Sequence, residues 1–167
     1  MRKVYLDNAA TTPIHPEVIT AMMSVLQNDF GNPSSTHSFG RIAKTFLESS
    51  RKSIAKLLNA QASEIIFTSS ATEATNWILT SAVKDLGIKR IITTKIEHHA
   101  TLHTAEHLAK EFGIQVEYIA ILPNGNIDYQ DLAAKLHSDV PTLVSLIHVN
   151  NEIGTILDIK RVSDLCK

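Results

Sequence analysis

Two hydrophobic rhythms alternate along this chain. Over residues 38–59, Phe39, Ile42, Ala43, Phe46, Leu47, Ile54, Leu57 and Leu58 recur at steps of three and four, which places them on one face of a helix. The local pattern also predicts helices over 16–29, opened by Pro16 near the first turn, and over 71–87, stopped by Gly87. Further helices are predicted over 101–113, ending on Gly113, over 129–137 and over 159–167. Between the helices lie short runs rich in apolar and β-branched residues. EIIFTS (64–69), RIITT (90–94), QVEYIAI (115–121) and TLVSLIHV (142–149) are the predicted strands. The last is almost continuously apolar, which predicts a strand covered on both faces of a parallel sheet. VYLD (4–7) reads as a short extended entry, FGNPSSTHSFG (30–40) as a loop and PNGN (123–126) as a turn.

Alternation of strand and helix implies an α/β domain with a mainly parallel sheet. The chain divides into an N-terminal extended segment (1–14), a helical segment (15–60) and an alternating strand–helix segment (61–167). In such folds ligands bind beyond the carboxyl ends of the strands. The loops after residues 69, 94 and 148 are therefore where chemistry is expected. No internal repeat or low-complexity stretch interrupts the pattern.

Composition narrows the function classes. The chain has 167 residues, 44% hydrophobic and 20% charged, with a formal net charge of −1. That suffices for one domain with a sizeable core and offers no basic surplus for nucleic acid or an acidic membrane surface. No run approaches the roughly 18 apolar residues that cross a bilayer. The apolar run near the start stops at Asp7, so no signal-peptide core is expected and the cytoplasm is the expected compartment. One cysteine, Cys166, allows neither an internal disulfide nor a Cys-rich zinc site. In its predicted helix it is expected to be a small buried hydrophobe.

Four of the eight histidines fall in IEHHATLHTAEH (96–107). His99, His103 and His107 are four apart and form one row. Leu102, Ala105, Leu108, Ala109 and Phe112 make the opposite, apolar face. The sequence lacks the H-E-x-x-H arrangement, so the row reads as a solvated face and no metal is expected. His98 differs, because it lies in the loop after RIITT, preceded by Glu97. A ring there can project over a ligand or be held by local hydrogen bonds. TSSATEAT (68–75) runs from strand into helix, where free backbone N–H groups and the helix dipole suit an anion. Ser70 or Thr72 can cap that helix or hold a phosphate, and a Walker A loop is excluded because no G-K-[ST] is present. HVNNEIGT (148–155) places two asparagines and a glutamate after the apolar strand, as a turn or as a polar site.

Taken in order, YLDNAATTP (5–13), FGNPSSTH (30–37), FTSSATEATN (67–76), TTKIEHHA (93–100) and SLIHVNNEIGTILDI (145–159) resemble the cysteine desulfurases of the class V aminotransferase family. The resemblance spans essentially the whole chain. It implies the three-layer, aspartate-aminotransferase-like fold (fold type I) of pyridoxal-phosphate (PLP) enzymes, with a mainly parallel sheet. It also implies that His98 stacks on the pyridine ring and assists proton transfer. Ala71 and Thr72 correspond to phosphate contacts. Asn151 corresponds to the residue that bonds the cofactor's phenolic oxygen near the substrate carboxylate. His99, His103 and His107 correspond to no functional position of the family.

Two departures matter. Ser70 stands where the family often has glycine, which restrains the turn. More seriously, the family's cofactor lysine follows a histidine, and none of the eleven lysines here does. The aspartate for the ring nitrogen, the mobile-loop cysteine that accepts sulfur and the arginine that grips the substrate carboxylate are also without counterparts. Cys166 falls at a helical position, not that of the sulfur acceptor. The resemblance therefore implies the N-terminal portion of a large PLP-binding domain, with an incomplete sheet and no expected desulfurase activity alone. In the complete family enzyme, L-cysteine becomes L-alanine while sulfur passes through an enzyme persulfide to acceptors for iron–sulfur clusters or tRNA thiolation. The alternatives are another class V enzyme, such as a selenocysteine lyase or a cysteine-sulfinate-type lyase, a truncated non-enzymatic remnant, or one half of a split enzyme. An uncovered apolar edge predicts a homodimer or larger species.

Overall fold

The computed structural model describes residues 3–167. Two compact units divide the chain, one reaching to Phe67 and the other running from Thr68 to Lys167. The first is helical. Helix α1 spans Pro16–Asn28 and α2 spans Ser38–Leu57, followed by a short 3-10 turn at Ala62–Glu64. The His37 ring caps α2 by accepting from the Gly40 N–H at 3.4 Å. Gly40 is buried, and a Cβ there would lie 2.3 Å from the Ser35 carbonyl oxygen, so only glycine allows the loop to fold back on α2. Much of the helix's apolar row is left open: Phe39 is 52% and Leu57 85% exposed.

The strand expected at 64–69 does not form. Ile65 is extended (φ −94°, ψ 120°), yet no strand among the described residues pairs with this segment. Arg51 of α2 holds it instead. Its guanidinium donates to the Ile65 carbonyl and lies 4.9 Å from the Phe67 ring centroid. A β-prone sequence without a neighbouring edge stays a single extended segment.

The second unit alternates strand and helix as expected: α3 (Ala71–Lys84), β1 (Arg90–Thr94), α4 (His99–Phe112), β2 (Gln115–Ile119), α5 (Tyr129–Leu136), β3 (Thr142–Val144) and α6 (Ile159–Leu165). The strands form a three-stranded parallel sheet in the order β2–β1–β3. Arg90 is in register with Gln115 on one side and Thr142 on the other. Side chains alternate across a strand, and adjacent residues of β1 enter different cores. Ile91 packs with Leu79, Val83, Ala105 and Leu108 of α3 and α4. Ile92 packs with Ile119, Ile127 and Leu132, beside Val162 and Leu165 of α6. The unit therefore has three layers, helix–sheet–helix.

β3 is shorter than TLVSLIHV suggested. Only Thr142–Val144 pair, and all three are half-buried. Among the described residues β3 pairs with β1 alone; the Ser145 N–H still donates to the Ile92 carbonyl at 2.9 Å, and the rest of the apolar run then leaves the sheet and packs as loop, with Leu146 and Leu157 against the second core. Cys166 is a further correction. It is exposed rather than buried, and partial shielding of its sulfur raises the thiol pKa, the opposite of an activated thiolate.

Helix ends are fixed locally. Asp128 caps α5 and Asp158 caps α6. Gly113 ends α4 in the left-handed region at φ +66°. The Asp131 carboxylate accepts from the Ala120 N–H at 2.8 Å and pairs with Lys135 at 2.7 Å, tying α5 to the end of β2. Lys135 and that N–H lower its pKa.

Leu108 is 1% and Leu58 67% exposed. Leu108→Ala is expected to cost about 2–5 kcal/mol and Leu58→Ala less than about 0.5 kcal/mol, read from urea denaturation midpoints.

Candidate functional site

In the second unit, three loops meet the carboxyl side of the sheet or the start of a helix facing it. The first leads into α3. The Ser70 side chain accepts from the Glu73 N–H at 3.2 Å and is the cap, so of the two expected candidates Thr72 keeps its hydroxyl uncommitted to capping. The Glu73 carboxylate turns back onto Ser69, accepting from its N–H and its hydroxyl at 2.6 Å each. Those bonds hold the Glu73 pKa below its ordinary value. Ala71 and Thr72 occupy the first turn, where backbone N–H groups lack intrahelical acceptors.

The second loop follows β1 and carries His98. This residue is exposed and is the N-cap of α4, its Nδ1 accepting from the Ala100 N–H at 3.1 Å. An acceptor Nδ1 places the neutral ring's proton on Nε2. His99 and His103 stack with centroids 5.3 Å apart, and His107 pairs with Glu111 at 2.9 Å. All three are exposed, opposite the buried Ala105 and Leu108. Among the described residues, no three or more His, Cys, Asp or Glu side chains gather as ligands for a metal ion.

Thr72, Asn76, His98, His99, His103 and Thr104 line one open cleft of about 440 Å³. That is within the roughly 300–1,000 Å³ typical of small-molecule sites. The structure therefore brings the α3 start and the β1 loop together. Asn76 joins the two helices: its Nδ2 donates to the Thr72 carbonyl at 2.9 Å and its Oδ1 accepts from the buried Thr104 hydroxyl. Neither Asn76 nor Thr104 stands out in the sequence, because a polar residue within a helix carries no signal of the partner opposite it.

The third loop follows β3. Residues 148–157 form a closed turn, with Val149 bridged to Ile156 and the Leu157 N–H donating to the His148 carbonyl at 2.8 Å. The two asparagines separate by environment. Asn150 is buried, with 6% exposure, and its Oδ1 accepts from the N–H groups of Glu152 (2.9 Å) and Ile153 (3.1 Å). Asn151 is exposed. It lies outside the residues lining the Thr72–His98 cleft.

Glu97 is half-buried. Its carboxylate accepts from the Ile147 N–H of the third loop. Burial raises its pKa, and the Ile147 N–H, the Thr101 hydroxyl and the neighbouring His98 oppose the rise only in part.

A profile of the aminotransferase class-V family matches residues 4–167. A cysteine desulfurase IscS of Dictyoglomus turgidum is 44% identical over 99% of this chain and 42% of its own length. The putative cysteine desulfurase IscS 1 of Bacillus subtilis is 42% identical over 100% of this chain and 44% of its own length. Among solved structures, a NifS-like protein superposes with a TM-score of 0.91 at 38% identity, covering 99% of this chain and 46% of that one. A structure described as SspA in complex with cysteine superposes with a TM-score of 0.84 at 32% identity, covering 94% of this chain and 45% of that one. The chain thus spans less than half the length of these relatives and corresponds to their N-terminal part.

Two outcomes are expected from local substitutions. Ser70→Ala removes a cap and is expected to lower stability by about 1 kcal/mol, against a few tenths for Ser70→Gly. The sign for Glu97 follows from its raised pKa. The folded state favours the protonated carboxyl, so its contribution to stability is present below the unfolded pKa and lost as pH rises through the folded one. The unfolding free energy of wild type minus that of Glu97→Gln is therefore expected to fall as pH rises from about 4 to about 8, by urea titration at each pH.

Proposed function

The chain belongs to the aminotransferase class-V family, and we propose that it is the N-terminal portion of a cysteine desulfurase, carrying the ring-facing and phosphate-facing side of a pyridoxal 5′-phosphate site. The observation that carries this reading is the shared cleft. Thr72 in the first turn of α3 and His98 at the end of β1 line the same opening. The residues suit the group. A helix N-terminus with two uncapped N–H groups and a threonine hydroxyl suits a phosphate. An exposed imidazole at the cleft wall suits an aromatic ring.

On this reading Ala71 and Thr72 hold the phosphate through backbone N–H and hydroxyl groups. His98 stacks on the pyridine ring, and with Nδ1 engaged by Ala100, its Nε2 is the atom that gives or takes a proton. Asn151, on the turn held by Asn150, reaches the phenolic oxygen and the carboxylate of L-cysteine. When bound, pyridoxal phosphate supplies an electron sink for the carbanion at the substrate Cα. Sulfur acceptors for iron–sulfur clusters or tRNA thiolation, and a cytoplasmic location, belong to the same reading. The names of the relatives favour a desulfurase over a selenocysteine lyase.

Binding of pyridoxal phosphate to the purified chain, measured by equilibrium dialysis, tests the site. Thr72→Ala and His98→Ala are each expected to weaken it about tenfold, or about 1.4 kcal/mol. Absence of binding, or an affinity indifferent to both changes, would overturn the reading. No lysine here follows a histidine as the cofactor lysine does in the family, so the chain alone is expected to produce no alanine or sulfide from L-cysteine. Sustained turnover would sink that expectation. Association is the second expectation, because Val18, Ile19, Met22 and Met23 of α1 are each close to half exposed. Sedimentation at micromolar concentration is expected to show a dimer or larger species, and a clean monomer would count against it.

A further inference from the structure

The residue before His98 and the residue before Asn151 do the same thing in opposite directions. Glu97 reaches out of the β1 loop, and its carboxylate accepts from the Ile147 N–H in the loop after β3. Asn150 reaches back, its Nδ2 donating at 2.8 Å to the Ile96 carbonyl. Each side chain thus bonds backbone of the other's loop, and each neighbours one proposed site residue. Both are more enclosed than those neighbours: Asn150 is buried and Glu97 half-buried, whereas His98 and Asn151 are exposed.

The geometry points to Glu97 and Asn150 as positioning residues, a reciprocal clasp that fixes His98 relative to Asn151. Both bonds run from a donor in the loop after β3 to an acceptor in the β1 loop, one through the Glu97 side chain and one through the Asn150 side chain, so sliding either loop along the other breaks both. Asn150 also organises its own turn by accepting from Glu152 and Ile153, which joins the clasp to the backbone that presents Asn151. Glu97 directly precedes His98, the N-cap of α4, which joins the clasp to that helix. Buried polar groups joined this way are costly to leave half-satisfied, so the clasp is made whole or lost whole. Only the identity of what is positioned rests on the proposed cofactor reading; the clasp itself does not.

The test is cross-loop transmission, read by NMR on the 167-residue chain without added cofactor. Glu97→Ala is expected to shift the Asn151 side-chain and backbone signals. Asn150→Ala is expected to shift the His98 imidazole signals. Glu97→Gln, which keeps an oxygen within reach of Ile147, is expected to restore the Asn151 signals. His103 and His107, farther along α4, are expected to stay in place. Perturbation confined to each variant's own loop would overturn the clasp. Should both alanine variants fail to fold, the wild type decides: the Ile147 amide is expected to exchange at least about tenfold below its intrinsic rate, and exchange at that rate would overturn the proposal. Adding pyridoxal phosphate to wild type is a separate arm. Unmoved His98 and Thr72 signals there would remove the cofactor reading while leaving the clasp to be judged on the cofactor-free spectra.

Discussion

β1 is hydrogen-bonded on both edges to parallel strands, and much of the second unit follows from that. A parallel neighbour can be reached only by a crossover, and here the crossovers diverge. From β1 the chain leaves through α4, on one face, to reach β2. From β2 it returns through α5, on the other face, to β3 on the far side of β1. The loops leaving the carboxyl ends of β1 and β3 therefore turn toward opposite layers. Their point of divergence is the switch point at which open α/β sheets bind ligands. His98 and Asn151 lie on those two loops because of strand order. The polar sequence of the loops decides only what they do there.

The same arrangement sets a problem. Loops that part at a switch point have no ladder to hold them, and a site spread over both needs a fixed spacing. The side chains at the junction are suited to it. Glu97 and Asn150 each end on a backbone group rather than on another side chain. A backbone acceptor or donor is fixed by the fold, so such bonds transmit the sheet's rigidity outward with little rotamer freedom. Asn76 does the corresponding work between α3 and α4. At the opposite end of β1, Arg90 joins both neighbours, through Thr142 at 2.9 Å and Glu117 at 3.2 Å.

What could be read in the sequence follows the range of the interaction. Helices α3 to α6 and strand β1 were legible because periodicity and caps are local. RIITT matched to the residue, since a central strand is covered on both faces and, after Arg90, is apolar or β-branched throughout. EIIFTS is similarly rich in apolar and β-branched residues and formed no strand, because a strand is a property of two segments and its neighbour is not written in it. TLVSLIHV was overread for the same reason: apolar residues after Val144 serve loop packing, which has no period. The loops that carry His98 and Asn151 were legible as segments following strands. The clasp was not, because adjacent asparagines look alike in sequence and only burial tells Asn150 from Asn151.

The proposed site residues share a character that bears on what this part of the protein contributes. His98, Ala71, Thr72 and Asn151 offer hydrogen bonds and a flat ring, and none brings a permanent charge. The nearest ionised group at the α3 start, Glu73, is folded back on Ser69 rather than aimed into the cleft. Groups of this kind gain their effect from being held in place before the ligand arrives, since they have little electrostatic reach to draw it in. Their value therefore depends on the spacing between loops more than on the pKa of any one of them. A fold that fixes that spacing through backbone contacts holds the proposed groups in place before a ligand arrives.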